Sequence, residues 1–459
     1  MPHYKLSYFG TVGIGESIRF LLKYGGQDFE DIRNGIEEWP KIKPTTPYGV
    51  LPVLEIDGEV HHQSLAICRY LGREFNLAGK DSLENLRIDT MADTINDYRL
   101  VFTQTIWPPN GEDKSKKLES LINEHIPYYL TKFAEQVKKN GGYFVGGKVT
   151  WVDVYFASLK PYLDFVAGFD TLKDYPILKE LTEKIYAIPN IKKWIEERPT
   201  RCSLREYLAG LCATITMLII TGNGFKYDLQ PINSNIRYSF VEHREEEKMP
   251  HYKLRYFATT GIGESIRFLL KYGGQDFEDV RYDLHDWPKI KPTTPYGVLP
   301  VLEIDGEVHH QSLAICRYLA KEFKLTGKDS LEDLRIDTIA DTINDYRIVF
   351  IRAMFPPDAA DRAQKMESLV SEHMPYYLPK FEEQVKKNGG YFVGGKVTWA
   401  DFYFVALKSY LDSIVEFDTL KDYPALKELT EKVYAIPSIK KWLSERPTGC
   451  CVKDFFAGK

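Results

Sequence analysis

The chain has 459 residues, of which 44% are hydrophobic and 27% charged, with a formal net charge of −5. That balance is ordinary for a soluble globular protein and excludes the electrostatic footprint expected of a nucleic-acid or anionic-membrane binder. The six cysteines, Cys68, Cys202, Cys212, Cys316, Cys450 and Cys451, follow no CxxC or zinc spacing, and no secretory leader pattern stands at the start, so a reducing cytosol is expected.

Lys5 to Phe9 reads as a strand. Gly13-Ile14-Gly15 breaks it, and Glu16 to Tyr24 then places Ile18, Leu21 and Leu22 on one helical face. Asp28 to Arg33 is a weaker strand, and Val53 to Ile56, Asp57-Gly58 and Glu59 to His61 form a hairpin with an Asp-Gly turn. Ser64 heads a helix through Phe75, which completes a small mixed sheet covered by helices. From Ser82 the strand signals stop, and helical periodicity covers Leu83 to about Thr105, Lys114 to Lys139, Trp151 to Val166, Pro176 to Ala187 and Ile191 to Arg198. Thr150 and Asp153 form a capping box, repeated by Thr398 and Asp401, and both pairs are assigned to folding. The apolar run Leu211 to Ile220 falls well short of the roughly 20 residues that span a bilayer.

At Met249 the chain begins again. Residues 249 to 254 repeat residues 1 to 6 letter for letter, and the match continues without gaps at an offset of 248 (256 − 8). Each copy is too long for a solenoid repeat and can bury its own core. The expected organisation is an α/β domain at 1–79, an all-α domain at 80–211, a linker at 212–248, a second α/β domain at 249–327 and a second all-α domain at 328–459. The linker ends in a charged run, His243-Arg244-Glu245-Glu246-Glu247-Lys248, and has no counterpart in copy 2. It reads either as a loosely ordered tether or as intergenic sequence joining two neighbouring reading frames, with Met249 as an initiator. A tether of that length lets the two copies pair within one chain.

The strongest chemical signal is Tyr48-Gly49-Val50-Leu51-Pro52-Val53-Leu54, where a proline stands just before a strand. Proline there removes a ladder donor and can take the cis isomer, which turns the preceding backbone toward a cleft as a clamp for an extended peptide. Gln63-Ser64 follows at a helix N-terminus, where free N–H groups, a hydroxyl and the helix dipole suit a carboxylate. An anionic peptide-like ligand fits both features.

Together with Tyr8-Phe9, Trp39 and Lys43, the run His62 to Leu71, Asp93 to Asp97 and Val149 to Asp153, these residues closely resemble the sigma class of cytosolic glutathione transferases, which includes insect enzymes and the glutathione-dependent prostaglandin D synthase. The resemblance implies, for each copy, a thioredoxin-like N-terminal domain, a helical C-terminal domain and a dimer with a glutathione site near each interface. It implies Tyr8 as the catalytic tyrosine, whose neutral hydroxyl donates to the glutathione sulfur. Trp39 and Lys43 would hold the glycyl end, Leu51 with Pro52 the cysteinyl backbone, and Gln63 and Ser64 the γ-glutamyl carboxylate. Asp97 would reach across the dimer to the γ-glutamyl ammonium of the neighbouring site. Copy 2 carries the same set as Tyr256, Trp287, Lys291, Leu299, Pro300, Gln311, Ser312 and Asp345.

The resemblance also places an electrophile pocket between the tyrosine-bearing loop and the long helix after Asp97, lined by Phe9, Ile14, Arg99, Trp107 and Tyr155, and in copy 2 by Phe257, Ile262, Arg347, Phe355 and Tyr403. Trp107 against Phe355 and Asn110-Gly111 against Asp358-Ala359 suggest distinct substrate preferences. The family's frequent basic residue after the catalytic tyrosine is missing, because Thr11-Val12-Gly13-Ile14 and Thr259-Thr260-Gly261-Ile262 stand there. Val50 and Val298 could offer glutathione only backbone contacts. Asn96 and Asn344 replace a metal-site aspartate of the vertebrate prostaglandin synthase, so no metal is expected. Taken alone, Tyr8 could be strand packing, Trp39 an anchor, Lys43 a solvated lysine, Gln63-Ser64 an N-cap and Arg99 the partner of a nearby carboxylate. His61-His62 and His309-His310 point to opposite faces of a strand and read as solvated edge residues, not as ligands of one ion. The implied function is conjugation of the glutathione thiolate to electrophiles, with peroxidase or isomerase activity on oxidised lipids as an extension and a crystallin-like binding protein as the alternative. Thiol-disulfide exchange is excluded because Tyr8-Phe9-Gly10-Thr11 follows the first strand with no cysteine.

Overall fold

The computed structural model describes residues 2–107, 113–199, 250–355 and 359–447. The expected linker, the apolar run from Leu211 to Ile220 and the positions Asn110, Gly111 and Asp358 lie outside these residues.

Copy 1 opens with β1 (Tyr4–Phe9), α1 (Ile14–Tyr24), β2 (Phe29–Asn34), the short α2 (Trp39–Ile42), β3 (Val53–Ile56), β4 (Glu59–His61) and α3 (Ser64–Glu74). The strands form a 4-stranded sheet in the order β2-β1-β3-β4, with β1 parallel to β2 and antiparallel to β3. Tyr4 and Leu6 of β1 and Ile18, Phe20, Leu21 and Leu22 of α1 are buried, as their strand and helix periods require. The β3–β4 turn uses Asp57 and Gly58 at φ 49° and 87°, the left-handed pair that matches the twist of a tight hairpin.

The helical half contains α4 (Ser82–Ile106), α5 (Lys114–Ser120), α6 (Ile126–Lys139), α7 (Trp151–Ala167), α8 (Pro176–Tyr186) and α9 (Pro189–Glu197). At α7 the carboxylate of Asp153 accepts from the Thr150 N–H and hydroxyl, both at 2.7 Å, and from the Phe144 N–H at 2.9 Å. That capping box therefore serves folding, as expected. The run expected as one helix from Lys114 to Lys139 is divided by a π-helical turn at Leu121–His125. Pro127 lies just beyond it, and its ring crowds the carbonyl four residues back while its nitrogen offers no hydrogen, so the ladder loosens there.

Copy 2 repeats the order as β5 (Tyr252–Phe257), α10 (Gly261–Tyr272), β6 (Phe277–Tyr282), α11 (Trp287–Ile290), β7 (Val301–Ile304), β8 (Glu307–His310), α12 (Ser312–Glu322), α13 (Ser330–Met354), α14 (Ala359–Ser368), α15 (Met374–Lys387), α16 (Trp399–Val415), α17 (Pro424–Ala435) and α18 (Pro437–Glu445). The copies pack with α3 against α13 and α12 against α4. Each long helix inserts one leucine into the other copy's core, Leu86 into that of copy 2 and Leu334 into that of copy 1. Between them lies a buried ring of charge. Arg69 Nε donates to Asp89 and Arg317 Nε to Asp337, both at 2.7 Å, and each guanidinium also donates across the join at 3.5 Å.

Two tyrosines lock this packing. Tyr48, at φ 48°, stacks on Tyr377 of copy 2 at 5.8 Å and lies 5.3 Å from His62. Tyr296 mirrors it on Tyr129 at 5.9 Å, with His310 at 5.2 Å.

Candidate active site

Tyr8 stands next to last in β1 with its ring laid over the start of α1. A Cβ at Gly15 would stand 2.3 Å from the ring, so only glycine permits this approach. Gly263 gives Tyr256 the same space, also at 2.3 Å. Burial pushes the Tyr8 phenol up to about 12, against the opposing pull of the Arg99 and Arg19 guanidinium groups. Burial likewise raises Tyr256, opposed first by Arg347. Both hydroxyls therefore keep their proton at neutral pH and can donate it.

Arg99 is held beside this hydroxyl by neutral groups and not by the carboxylate considered as its partner. Its Nε donates to Asn96 Oδ1 at 2.9 Å and a terminal nitrogen donates to Thr103 Oγ1 at 3.2 Å. The Tyr155 hydroxyl donates to the same Asn96 oxygen at 3.3 Å. Tyr155 and Tyr403 are wholly buried, which places them beneath the cleft wall. Trp107 and Phe355 stand at the ends of α4 and α13, 45% and 56% exposed.

The Leu51-Pro52 and Leu299-Pro300 bonds are cis. Gln63 precedes α3 at φ 68° and caps nothing with its side chain. Its amide instead donates 2.7 Å to Asp345 of copy 2, and Gln311 donates 2.7 Å to Asp97 of copy 1. Burial pushes Asp97 up to about 6, against the Gln311 hydrogen bond and the Arg99 charge. Burial raises Asp345 as well, opposed by Gln63 and then by Arg352.

A cleft of about 560 Å³ joins Leu51, Pro52, Gln63, Ser64, Ile14 and Arg99 to Leu299, Pro300, Gln311, Ser312, Ile262 and Arg347, with Asp97 and Asp345 between them. Trp39 opens α2 and Lys43 follows its end, and neither is among the residues that line this cleft. The Trp39 ring meets Phe9 edge-on at 5.5 Å, and Trp287 meets Phe257 at 5.3 Å. Lys43 is exposed, and its stem would be 3.1 Å from a Cβ on Gly49, as Lys291 would be from one on Gly297.

The histidine pairs are not solvated. His61, His62, His309 and His310 are 2%, 7%, 3% and 6% exposed. His61 ends β4 and His62 follows it, His309 and His310 close β8, and α13 and α4 of the opposite copies cover this edge. His62 Nε2 lies 3.0 Å from the Thr342 hydroxyl and His310 Nε2 3.0 Å from that of Thr94. Burial pushes His61 and His62 down to about 4, so they remain neutral at physiological pH. Tyr48, Thr94 and Arg69 lie in the motifs named above, but their contacts across the copies are not written in those motifs. The one signal was that each recurs in copy 2.

Among the described residues, Asp283, His285 and Asp286 bring potential metal-ligating atoms within 4.8 Å of one another. They occupy the surface turn before Trp287, and copy 1 has Gly35, Glu37 and Glu38 in their places.

The family description "Glutathione S-transferase, N-terminal domain" matches residues 16–74 and 252–321, and "Glutathione S-transferase, C-terminal domain" matches 96–198 and 344–446. A "Glutathione S-transferase" of Anopheles gambiae is 47% identical over 199 residues, 43% of this chain and 98% of that relative. The chain belongs to the glutathione S-transferase family. "Glutathione S-transferase S1" of Drosophila melanogaster is 43% identical over 196 residues, covering 43% of this chain and 79% of that relative. "Hematopoietic prostaglandin D synthase" of Rattus norvegicus is 41% identical over 199 residues, covering 43% of this chain and 98% of that relative. The glutathione S-transferase domains occur twice, in the N-terminal, C-terminal order of the two sheets and helical halves. Among the described residues no helix is long and apolar enough to cross a membrane.

Proposed function

We propose that the chain is a tandem sigma-class glutathione transferase whose two copies pair within one chain, each completing the other's glutathione site. The observation that carries this reading is the reciprocal 2.7 Å contact of Gln63 with Asp345 and of Gln311 with Asp97. An amide at a helix N-terminus and a carboxylate from the other copy are the two groups that a γ-glutamyl carboxylate and ammonium need. Leu51 and Leu299 clamp the cysteinyl backbone, Ser64 and Ser312 support the carboxylate, and Trp39 with Lys43, like Trp287 with Lys291, takes the glycyl end. Residues 1–79 and 249–327 are the glutathione-binding domains, 80–211 and 328–459 the helical ones, and 212–248 the tether.

Tyr8 and Tyr256 act as protonated donors to the sulfur. The glutathione thiol releases its proton to solvent, and the phenol's hydrogen bond stabilises the thiolate that attacks the electrophile. Lowering the thiol pKa by two units requires about 2.7 kcal/mol, within reach of one hydrogen bond to a charged group plus the α1 and α3 N-terminal dipoles. Phe9, Ile14 and Arg99, with Phe257, Ile262 and Arg347, face the electrophile, which includes oxidised lipids open to peroxidase or isomerase chemistry. A cytosolic setting agrees with the cysteine usage. Nothing in the site favours a non-catalytic role. Conjugation of a general aromatic halide by the wild type is compared with the double variant Tyr8→Phe, Tyr256→Phe. A fall of at least tenfold in kcat/KM is expected, and unchanged activity refutes the tyrosine mechanism.

A further inference from the structure

We infer that Arg352 positions glutathione in copy 1's site from across the join, so that one chain carries two glutathione sites of unequal affinity; this rests on the reading of Gln63 and Asp345 given above. The helix face that α13 turns toward copy 1 is marked by Thr338, whose hydroxyl donates to the His62 carbonyl, by Thr342 beside His62, and by Asp345 on Gln63. Arg352 lies seven residues beyond Asp345, two turns along that face. It lines the same cleft as Gln63 and Ser64, is exposed, and makes no hydrogen bond or ion pair among the described residues. Its charge is felt by Asp345 and by Tyr377, and each of those touches copy 1, through Gln63 and through Tyr48.

Copy 1 has Gln104 at the equivalent place on α4, so copy 2's site faces a neutral amide. Glutathione carries two carboxylates and one ammonium at neutral pH. An unengaged guanidinium at the γ-glutamyl mouth adds attraction for that anion in copy 1's site alone.

The test is calorimetric titration of the full chain with glutathione, without electrophile. Wild type should show two binding events, the tighter by about threefold to fivefold, the range of a partly exposed charge pair. Arg352→Gln should weaken the tighter event to match the other, Arg352→Lys should keep much of the difference, and Gln104→Arg should tighten the weaker event. In steady state Arg352→Gln should raise KM for glutathione at unchanged kcat, with salt narrowing the gap. Two equal affinities untouched by Arg352→Gln and Gln104→Arg overturn this inference while leaving the proposed function standing. No glutathione binding at all overturns both.

Discussion

The two key tyrosines offer the sharpest test of whether the copies work as a pair. In the double variant Tyr48→Ala, Tyr296→Ala, each copy keeps its own core while the join loses two aromatic plugs. Tyr48 sits against Tyr377 and Phe381, both at 5.8 Å, and Tyr296 against Tyr129 and Phe133, at 5.9 and 6.0 Å. A buried tyrosine removes roughly 150–250 Å² from water, worth about 4–6 kcal/mol at about 25 cal/mol per Å². Both rings are partly exposed, so about 3 kcal/mol each, or about 6 kcal/mol together, is the better figure. That weakens copy–copy association by a factor on the order of 10⁴, which an effective concentration on the order of millimolar from tethering offsets only in part. Small-angle scattering should therefore give a larger radius of gyration, and calorimetry should show weaker glutathione binding at both sites, because Asp97 and Asp345 are withdrawn together. Circular dichroism should still report two folded copies. An unchanged radius of gyration together with unchanged glutathione affinity would refute the reasoning.

Gly15→Ala should drive the Tyr8 ring from its place and cut copy 1's kcat/KM by at least tenfold, read in a Tyr256→Phe background, while glutathione binding survives. Asp97, pushed up to about 6 by burial, loses its charge as pH falls through that value, so copy 2's glutathione affinity should drop between pH 7 and pH 5 in calorimetric titrations. Because that folded-state value is raised, ionised Asp97 costs stability above the ordinary carboxylate range, and Asp97→Asn should raise the melting temperature at pH 8 while weakening glutathione binding. Ser17 bonds Ser158 at 2.7 Å, whereas copy 2 has Ala406 there and the buried Ser265 hydroxyl is unpartnered. Urea denaturation should therefore show Ser17→Ala costing about 1 kcal/mol and Ser265→Ala neutral or stabilising.

What the sequence made legible was local chemistry. The Asp57-Gly58 hairpin, the cis Leu51-Pro52 bond and the Thr150–Asp153 box each depend on residues within a few positions of one another, and each stands in the structure as its pattern implies. The break at Leu121–His125 was hidden because the apolar period runs through it, and Pro127 alone, near what could pass for a helix start, does not announce a π turn. The histidine pairs misled for a different reason. Whether the strand edge at His61 and His62 is covered depends on α13, which begins some 270 residues further on (330 − 61 = 269). Tyr48 had the same disguise, since a tyrosine between proline and glycine looks like a turn residue until its ring is seen against Tyr377.

Aligned copy by copy, the residues proposed to hold glutathione are the same on both sides, which suggests two equivalent sites. The reciprocal Gln63–Asp345 and Gln311–Asp97 contacts join the copies, and under the proposed function each site would draw on both. Under that reading a substitution on α13 would act on copy 1's glutathione and copy 2's electrophile wall at once, since Asp345 and Arg352 would face one site while the Arg347 charge acts on Tyr256 in the other. Thr103 against Ile351 shows the second effect. The Thr103 hydroxyl engages Arg99 and also lies 3.1 Å from the Tyr162 hydroxyl, whereas Ile351 can make neither contact with Arg347 or Tyr410. Two separate subunits related by symmetry would have to accept every such change in both sites. One chain holding both copies can let the two sites differ.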